Sequence, residues 1–309
     1  MPNSLLYLLT VLIWGSTWLA IEFQLGVTDH GWSVTLRFAI AAAAMWAYCL
    51  MRGLSLRFSL RDHGFIALLA LGNFSLNYYV VYEAQIYLTS AMTCILFTTM
   101  VLMNIINARL FFGSRIAPRT YIGALLGIGG IVAIFWPELH DFSWSNSSMK
   151  GMVLALASAF IASLGNMVSV RNSRQGLPVL QVNALGMLYG ALMMLLVMLA
   201  SGTPLVVDRS PGYWLSLLYL ALFGSVIAFG AYFVLLKRIG AGRASYAMVL
   251  FPVVAVVLSA LFEEFHWQHS TTLGFILVAL GNLLVLAPLE RWWAQLRTYG
   301  RDQPQKSAA

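Results

Sequence analysis

The chain contains one spaced pattern twice, and this repetition constrains its fold more than any other feature of the sequence. The pattern Thr-x2-Gly-x6-Gly-x6-Pro closes an apolar segment at residues 120–137 and again at residues 271–288, 151 positions later. Spacings of 3, 7 and 7 residues are rarely repeated by chance in apolar sequence. We therefore predict that the chain is a duplication, and duplicated membrane helices are typical of transporters.

The segments between the charged residues are long enough to cross a membrane. Hydrophobic residues make up 60% of the 309 positions and charged residues only 9%, against about a quarter in soluble domains. A hydrocarbon core of ~30 Å needs roughly 20 apolar residues. The apolar runs do not alternate, which excludes a barrel, and backbone groups in lipid must be paired within helices. The predicted fold is an all-α polytopic membrane protein.

We predict ten transmembrane helices, at residues 4–22, 33–51, 64–82, 89–111, 119–136, 150–170, 179–200, 212–236, 244–262 and 271–288. Of the 18 basic residues, 15 fall on the side of the N-terminus, and the exceptions are Arg37, Lys150 and Arg209. Most acidic residues are predicted on the other side. The positive-inside rule then places both termini in the cytoplasm.

Each half contributes five helices, so the second half enters the membrane from the opposite side. The predicted architecture is therefore ten transmembrane helices as two inverted five-helix repeats, at residues 1–137 and 150–288. An external linker at 138–149 joins the repeats, and a basic cytoplasmic tail follows at 289–309. Inverted repeats can rock between two mirror-related open forms, which favours transport by alternating access.

Several short motifs along these helices resemble those of the EamA family in the drug/metabolite transporter superfamily. They are Trp14-Gly15-Ser16-Thr17, Arg37-Phe38 with the alanine-rich stretch behind it, Asn77-Tyr78, Tyr82-Glu83-Ala84-Gln85, Ser90-Ala91 and the two repeated endings. The resemblance covers residues 4–288. It implies a ten-helix bundle with cytoplasmic termini, and a secondary exporter of amino acids, metabolites or toxic organic compounds in a bacterial inner membrane.

Two positions depart from the family pattern. Gly113-Ser114-Arg115 stands where Gly-Glu-Arg or Gly-Glu-Lys is usual, and Thr98-Thr99-Met100 stands where the fourth helix often carries a proline. The equivalent ninth helix keeps Pro252. Because proline removes an internal hydrogen bond, we expect helix kinking to differ between the two halves.

Three charged residues are the candidates for ion coupling or charge sensing: Glu22, Arg37 and Glu83. A charge within a span is costly unless it is hydrated or paired. The acids suit a cationic or zwitterionic substrate or a proton, and Arg37 suits a pair with either acid or a substrate carboxylate. In the alternative interpretation, both acids mark the outer water interface and the arginine side chain extends to it.

Aromatic and amide side chains within the spans form the predicted substrate-binding set, namely Trp14, Trp18, Asn73, Asn77, Tyr78, Tyr82, Phe97, Asn166, Asn183 and Tyr232. Amides at membrane depth either contact substrate or join helices. The aromatic side chains either line a cavity or pack against lipid and other helices. The glycines of the repeated pattern indicate close packing, which makes the fifth and tenth spans scaffold helices or dimer contacts.

Other classes of function have weaker support. The sequence has no nucleotide-binding glycine loop and no nucleophile–base motif, which argues against an ATP-driven pump or an enzyme. His266 and His269 beside Glu263 and Glu264 lack closed metal-ligand spacing, so no metal or cofactor is expected. The net charge of +7 follows membrane topology, so no nucleic acid is expected. The expected partners are lipid, a small organic substrate, a proton as counter-ion and a second copy in a homodimer.

The sequence thus predicts a secondary active transporter that exports a small organic solute by alternating access. The predicted cavity lies at the membrane midplane, between spans 1–4 and 6–9, and proton coupling through Glu22 or Glu83 belongs to the same hypothesis. An uptake carrier or facilitator of the same fold, a channel and a membrane-integral enzyme stay open as alternatives.

Overall fold

The computed structural model describes residues 1–115, 118–134, 136, 147–239, 247–263 and 268–286, and the regular secondary structure of this part of the chain is helical. We number its helices α1 Asn3–Glu22, α2 His30–Met51, α3 Leu60–Gln85, α4 Ser90–Phe112, α5 Pro118–Ile134, α6 Ser147–Arg174, α7 Val179–Ala200, α8 Pro211–Leu218 continuing through Tyr219–Ile227 to Ala228–Ile239, α9 Ala247–Phe262 and α10 His269–Leu286. Seven are long and apolar enough to cross a membrane, and α5, α9 and α10 are shorter apolar helices. The predicted ten-helix membrane fold is confirmed.

The predicted spans differ from the observed helices mainly at the ends. The start of α2 lies three residues earlier than predicted because the side chain of Asp29 accepts a hydrogen bond from Gly31 N and caps the helix. Ser59 caps α3 in the same way, so His63 lies inside that helix and not in a loop. Helix α6 continues to Arg174, four residues beyond the predicted end. Both prolines of the repeated pattern, most of the predicted linker and the predicted tail lie outside the described residues.

The repeated glycines pack against one another in the folded chain. A Cβ atom built on Gly130 would lie 2.6 Å from the carbonyl oxygen of Gly274. One built on Gly281 would lie 2.6 Å from the carbonyl oxygen of Gly123. The first glycine of each copy therefore meets the second glycine of the other, which requires α5 and α10 to run in opposite directions. These glycine faces are occupied within the chain, so they are not the dimer contacts that the sequence left open.

The remaining helix contacts follow the same inverted symmetry. Helix α2 packs along α7, its counterpart in the other repeat, as α5 packs along α10. Helix α1 contacts α8 and α9, while its counterpart α6 contacts α3 and α4. The side chains on the outside of the bundle are apolar and exposed, as a lipid-facing surface requires; Leu110, Leu125 and Leu196 are each more than 60% exposed.

Both repeats contain a π-helical segment at the corresponding place. Residues Leu71–Ser75 of α3 and Tyr219–Ile227 of α8 adopt this conformation. A shift of 151 residues, the offset between the copies of the repeated pattern, carries the first segment onto residues 222–226, inside the second. Such π segments widen a helix locally and are frequent at functional sites. No pattern of residue types in the sequence indicates them.

Helix α4 is interrupted at Thr98 and Thr99, although it lacks the proline that the family often carries there. The hydroxyl group of Thr98 donates to Ile95 O at 2.6 Å, and that of Thr99 donates to Leu96 O at 2.7 Å. These bonds compete with the helical hydrogen bonds of the same carbonyl groups. Helix α9, by contrast, continues through Pro252. The two halves differ as expected, but the interruption lies in the half without proline.

Candidate functional site

The predicted aromatic residues of α1 contact two different helices. The indole of Trp14 lies 5.3 Å from the ring of Phe229 and 5.1 Å from that of Tyr232, both on α8. Its Nε1 donates to Gly224 O at 3.4 Å, inside the π-helical segment of α8. One turn later, the buried Trp18 lies 5.2 Å from the ring of Phe97 on α4. Through these two residues α1 contacts both repeats, α8 in the second and α4 in the first.

Arg37 is buried against aromatic rings. Its guanidinium carbon lies 4.5 Å from the ring centroid of Tyr78 and 5.4 Å from that of Phe38, and only 2% of the residue is exposed. A pair with Glu22 or Glu83 was one of the alternatives for Arg37, but within the described part of the chain no carboxylate forms an ion pair with this arginine. Glu83 bonds His30 instead, and Glu22 is exposed at the end of α1.

Two more predicted residues, both on α3, are buried. The hydroxyl group of Tyr82, which is fully buried, donates to Gln24 Oε1 at 2.8 Å. The side chain of Asn77 is 4% exposed, and its Oδ1 has no hydrogen-bond partner among the described residues. Gln24 lies beyond the predicted end of the first span, which is why the sequence analysis missed it. The one signal that could have identified Gln24 is its residue type, a polar amide directly after an apolar run.

The amides of α3 and α6 form a cluster in the other half of the bundle. The side-chain amides of Asn73 and Asn166 meet at 3.2 Å. Asn166 Nδ2 also donates to Asn104 Oδ1 at 3.3 Å, so the cluster joins α3, α4 and α6. These contacts favour a role in joining helices for Asn73 and Asn166. Asn183, the remaining predicted amide, is buried on α7 at 6% exposure and is not part of this cluster.

The aromatic and amide clusters occupy related positions in the two repeats. The 151-residue shift carries Trp14 onto Gly165 and Asn73 onto Gly224. In one repeat the large Trp14 packs at Gly224, and in the other the small Gly165 packs at Asn73. At equivalent contacts, the large side chain therefore lies on α1 in one case and on α3 in the other, each opposite a glycine. The bundle keeps its symmetry, while one side of its interior becomes aromatic and cationic and the other becomes an amide surface.

The amide cluster gives a direct prediction for stability. Replacing Asn166 with leucine leaves Asn73 and Asn104 without this partner, so we expect the free energy of unfolding to fall by about 1–2 kcal/mol. Replacing Asn77 with leucine removes an unpaired acceptor and should leave stability equal or higher. Thermal unfolding of the purified variants in detergent compares the two. A larger loss for Asn77→Leu than for Asn166→Leu would contradict this assignment.

Acidic residues join helix ends on one side of the bundle. We call the side that holds residue 3 the N-terminal face and the other side the opposite face. On the opposite face, Glu83 Oε2 lies 3.1 Å from His30 Nε2, and the Tyr87 hydroxyl donates to Glu83 Oε1 at 3.4 Å. The contact with His30 holds the ends of α2 and α3 together, and the contact with Tyr87 orients the carboxylate at the end of α3. The sequence placed His30 outside the spans, whereas the helix begins at this residue.

Glu263 is a second connection on the opposite face. Its carboxylate accepts hydrogen bonds from Ser90 N at 3.1 Å and Ser90 Oγ at 2.7 Å, and also from the hydroxyl of Ser259. The acid therefore caps α4 from the end of α9, where an anion is favourable. The sequence analysis considered Glu263 only as part of a loop cluster with histidines. Among the described residues no group of three metal-ligating side chains is present.

One cleft of about 360 Å³ lies between α2 and α7, and its lining includes none of the predicted substrate residues. Alanine and leucine side chains form most of its wall, with Trp46 and Thr35 at its edge. A wall of this composition offers few hydrogen-bonding groups to a polar solute. The amide and charged candidates are not part of this wall.

Comparisons with known proteins identify relatives along the whole bundle. The model of the EamA-like transporter family matches residues 1–136 and 149–287. The uncharacterized inner membrane transporter YedA of Escherichia coli strain K12 is 28% identical over 295 residues, covering 90% of this chain and 92% of that protein. Protein PagO of Salmonella typhimurium is 24% identical over 283 residues and covers 92% of each chain.

A solved structure supports the same fold. One chain of a crystal structure superimposes on this protein with a TM-score of 0.68, and the match covers 94% of this chain and 98% of the other. The sequence identity is 21%, so the likeness concerns the fold alone.

Proposed function

The chain belongs to the EamA-like transporter family, and from this membership we propose that it is a secondary active transporter that exports a small organic solute by alternating access. The observation that carries the proposal is the pairing of the two inverted repeats, in which the glycines of each copy of the pattern meet those of the other. Inverted repeats provide two equivalent arrangements around one central site. A transporter of this design needs no chemical step.

The contacts of α4 support a conformation in which one face of the bundle is packed more tightly than the other. Its first part, Ser90–Phe97, contacts α1 and α9 at the opposite face. On the N-terminal face, within the described residues, the second part, Met100–Phe112, has little contact with α9, and α6 has little contact with α9. Inverted symmetry relates these two sets of helices. The arrangement therefore suits a conformation that is closed at the opposite face and opens toward the N-terminal face.

The charge distribution supports a direction for that opening. With 15 of 18 basic residues predicted on the N-terminal side, we propose that this face is cytoplasmic and that the protein lies in a bacterial inner membrane. The name of the relative YedA, an inner membrane transporter, agrees with this location. The conformation would then receive its solute from the cytoplasm, as an exporter does.

Flux from liposomes tests the proposed function. Purified protein is reconstituted into liposomes loaded with a mixture of the twenty amino acids, and the external solution is analysed by mass spectrometry. We expect a subset of solutes to leave faster than from protein-free liposomes. Counterflow against an imposed proton gradient separates an exporter from an uptake carrier or facilitator, and single-channel conductance would identify a pore. Release of no solute by folded protein, with this mixture and with a mixture of organic acids, would contradict the proposal.

Proton coupling gives a second prediction for the same assay. If Glu22 or Glu83 carries the proton, the corresponding glutamine variant should transport at the same rate with and without a pH gradient, because the amide cannot ionise. Asp208→Asn is the matched control, since Asp208 lies in the segment before α8 and bonds to Ser210 N. Gradient-driven flux that is unchanged in both Glu22→Gln and Glu83→Gln would show that coupling does not use these acids.

A further inference from the structure

Arg37 carries buried N–H groups without partners among the described residues. This residue follows the beginning of α2 by seven positions, which places it roughly 10 Å along the helix from the opposite face. Its Nε and Nη1 atoms are buried and have no hydrogen-bond partner among the described residues. A charged group at this depth is rare unless it is paired or serves a function. The donors of this arginine are therefore available to a group that the chain itself does not supply.

The neighbours of the guanidinium hold it in place and leave its Nε and Nη1 donors without partners among the described residues. The rings of Tyr78 and Phe38 contact it through their faces, which attract a cation but accept no conventional hydrogen bond. On the other side lies Gly224, where a built Cβ atom would be 3.7 Å from Arg37 Nη2. The acids of the opposite face are engaged elsewhere or exposed: Glu83 bonds His30, and Glu263 bonds Ser90. The charge thus has no internal counter-ion in this part of the molecule.

A second unpaired donor lies in the same buried cluster. Gln24 Oε1 accepts the hydrogen bond from the Tyr82 hydroxyl, which fixes the amide, and Gln24 Nε2 is left buried without a partner among the described residues. The phenol oxygen of Tyr82 also interacts with Arg37 through a side-chain hydrogen bond, which leaves Nε and Nη1 as the donors without partners. Tyr82 therefore connects the two residues. The cluster presents unpaired N–H groups of both, which is the arrangement that an anion with two acceptor atoms requires.

We propose that Arg37 and the amide of Gln24 bind the carboxylate of the transported solute, and that this solute is an organic acid with an apolar or aromatic body. The proposal rests on the transport function proposed above and names its substrate class. The apolar body would contact Tyr78 and the nearby rings of Trp18 and Phe97. Asn77, one residue before Tyr78, adds an unpaired acceptor for a donor group on the same solute.

Binding of two matched probes to the purified protein in detergent tests this site. The probes are 3-phenylpropionate and its neutral amide, 3-phenylpropionamide, measured by calorimetric titration at millimolar concentrations. We expect the acid to bind at least about tenfold more tightly than the amide, since one charge-assisted bidentate contact distinguishes them. Arg37→Gln should remove this preference and leave binding of the amide unchanged. Arg37→Lys should retain part of it, because the ammonium keeps the charge but not the fork of donors.

Controls separate this role from a structural one. Arg209→Gln removes an equal charge from an exposed position of the same face and should leave the preference for the acid intact. Gln24→Leu should lower the affinity for 3-phenylpropionate several-fold. Equal affinities of the two probes for the wild type, no binding of the acid, or an unchanged preference in Arg37→Gln would each overturn the proposal. If one of these results is found and the protein still transports amino acids, the transport function stands and only the carboxylate site is wrong. If the acid binds as expected but no solute is transported, only the transport function is contradicted.

Discussion

Replacing Gly130 with valine is expected to destabilise the folded protein by about 3 kcal/mol, the largest loss of stability among the predicted variants. The backbones of α5 and α10 approach most closely where the two copies of the repeated pattern meet. A Cβ atom at this position would lie 2.6 Å from Gly274 O and 2.7 Å from a methyl group of Val278. A carbonyl group of the backbone cannot move aside as a flexible side chain can, so the two helices must separate. The melting temperature in detergent, with the fraction of monodisperse protein, measures the effect.

The neighbouring residue provides a matched control for this substitution. Gly129 lies in the same helix, and a Cβ atom built there would meet no atom within 4 Å. Gly129→Val makes the same change of helix propensity and of side-chain volume, on a face that points away from α10. We expect its melting temperature to stay close to that of the wild type. Equal losses in the two variants would mean that the glycines serve helix flexibility and not the contact between the repeats.

Replacing Glu263 with alanine is expected to favour opening of the bundle at the opposite face. The carboxylate accepts two hydrogen bonds from Ser90 and one from Ser259, and hydrogen bonds to a charged group contribute about 1.5–3 kcal/mol. A loss of about 3 kcal/mol from the closed form corresponds to a change of roughly a hundredfold in the ratio of the two forms. The variant should therefore populate a form that is open at the opposite face.

A native cysteine reports on this opening. Cys94 is fully buried on α4, one turn after Ser90, and Cys49 can be replaced by serine so that one thiol remains. A buried thiol in apolar surroundings reacts slowly until water reaches it. We expect a membrane-impermeant maleimide to label Cys94 much faster in Glu263→Ala than in the wild type. Asp208→Asn removes an acid of the segment before α8 on the same face and should leave the rate unchanged. Faster labelling in both variants would indicate a general effect of charge.

The architecture was predictable because its signals are local. Each span is an apolar run of about 20 residues, and the asymmetry of the basic residues needs no knowledge of contacts. The spacing of the glycines identified the duplication, and the structure shows the same glycines in contact. Helix ends were less predictable because they depend on caps such as Asp29 and Ser59, which extend α2 and α3 beyond the apolar run.

The contacts of the candidate site were not predictable in the same way, because residues distant in sequence form them. Arg37 was identified as a charged candidate, but its actual neighbour, Tyr78, follows from the packing of α2 against α3. The role of Glu263 depends on the approach of α9 to the beginning of α4. The π-helical segments leave no pattern of polar and apolar residues. Only the comparison of the two repeats shows that they occur at matched positions.

Alternating access is the central claim, and two spin-label distances test it most directly. In a background without cysteine, one pair at Ile86 and Phe262 spans the opposite face, and a pair at Phe111 and Arg238 spans the N-terminal face. All four positions are exposed. The distances are measured by pulsed electron paramagnetic resonance in liposomes, for the wild type and for Glu263→Ala. We predict that the substitution lengthens the first distance and shortens the second. Two distances that lengthen together, or that both stay unchanged, would contradict alternating access.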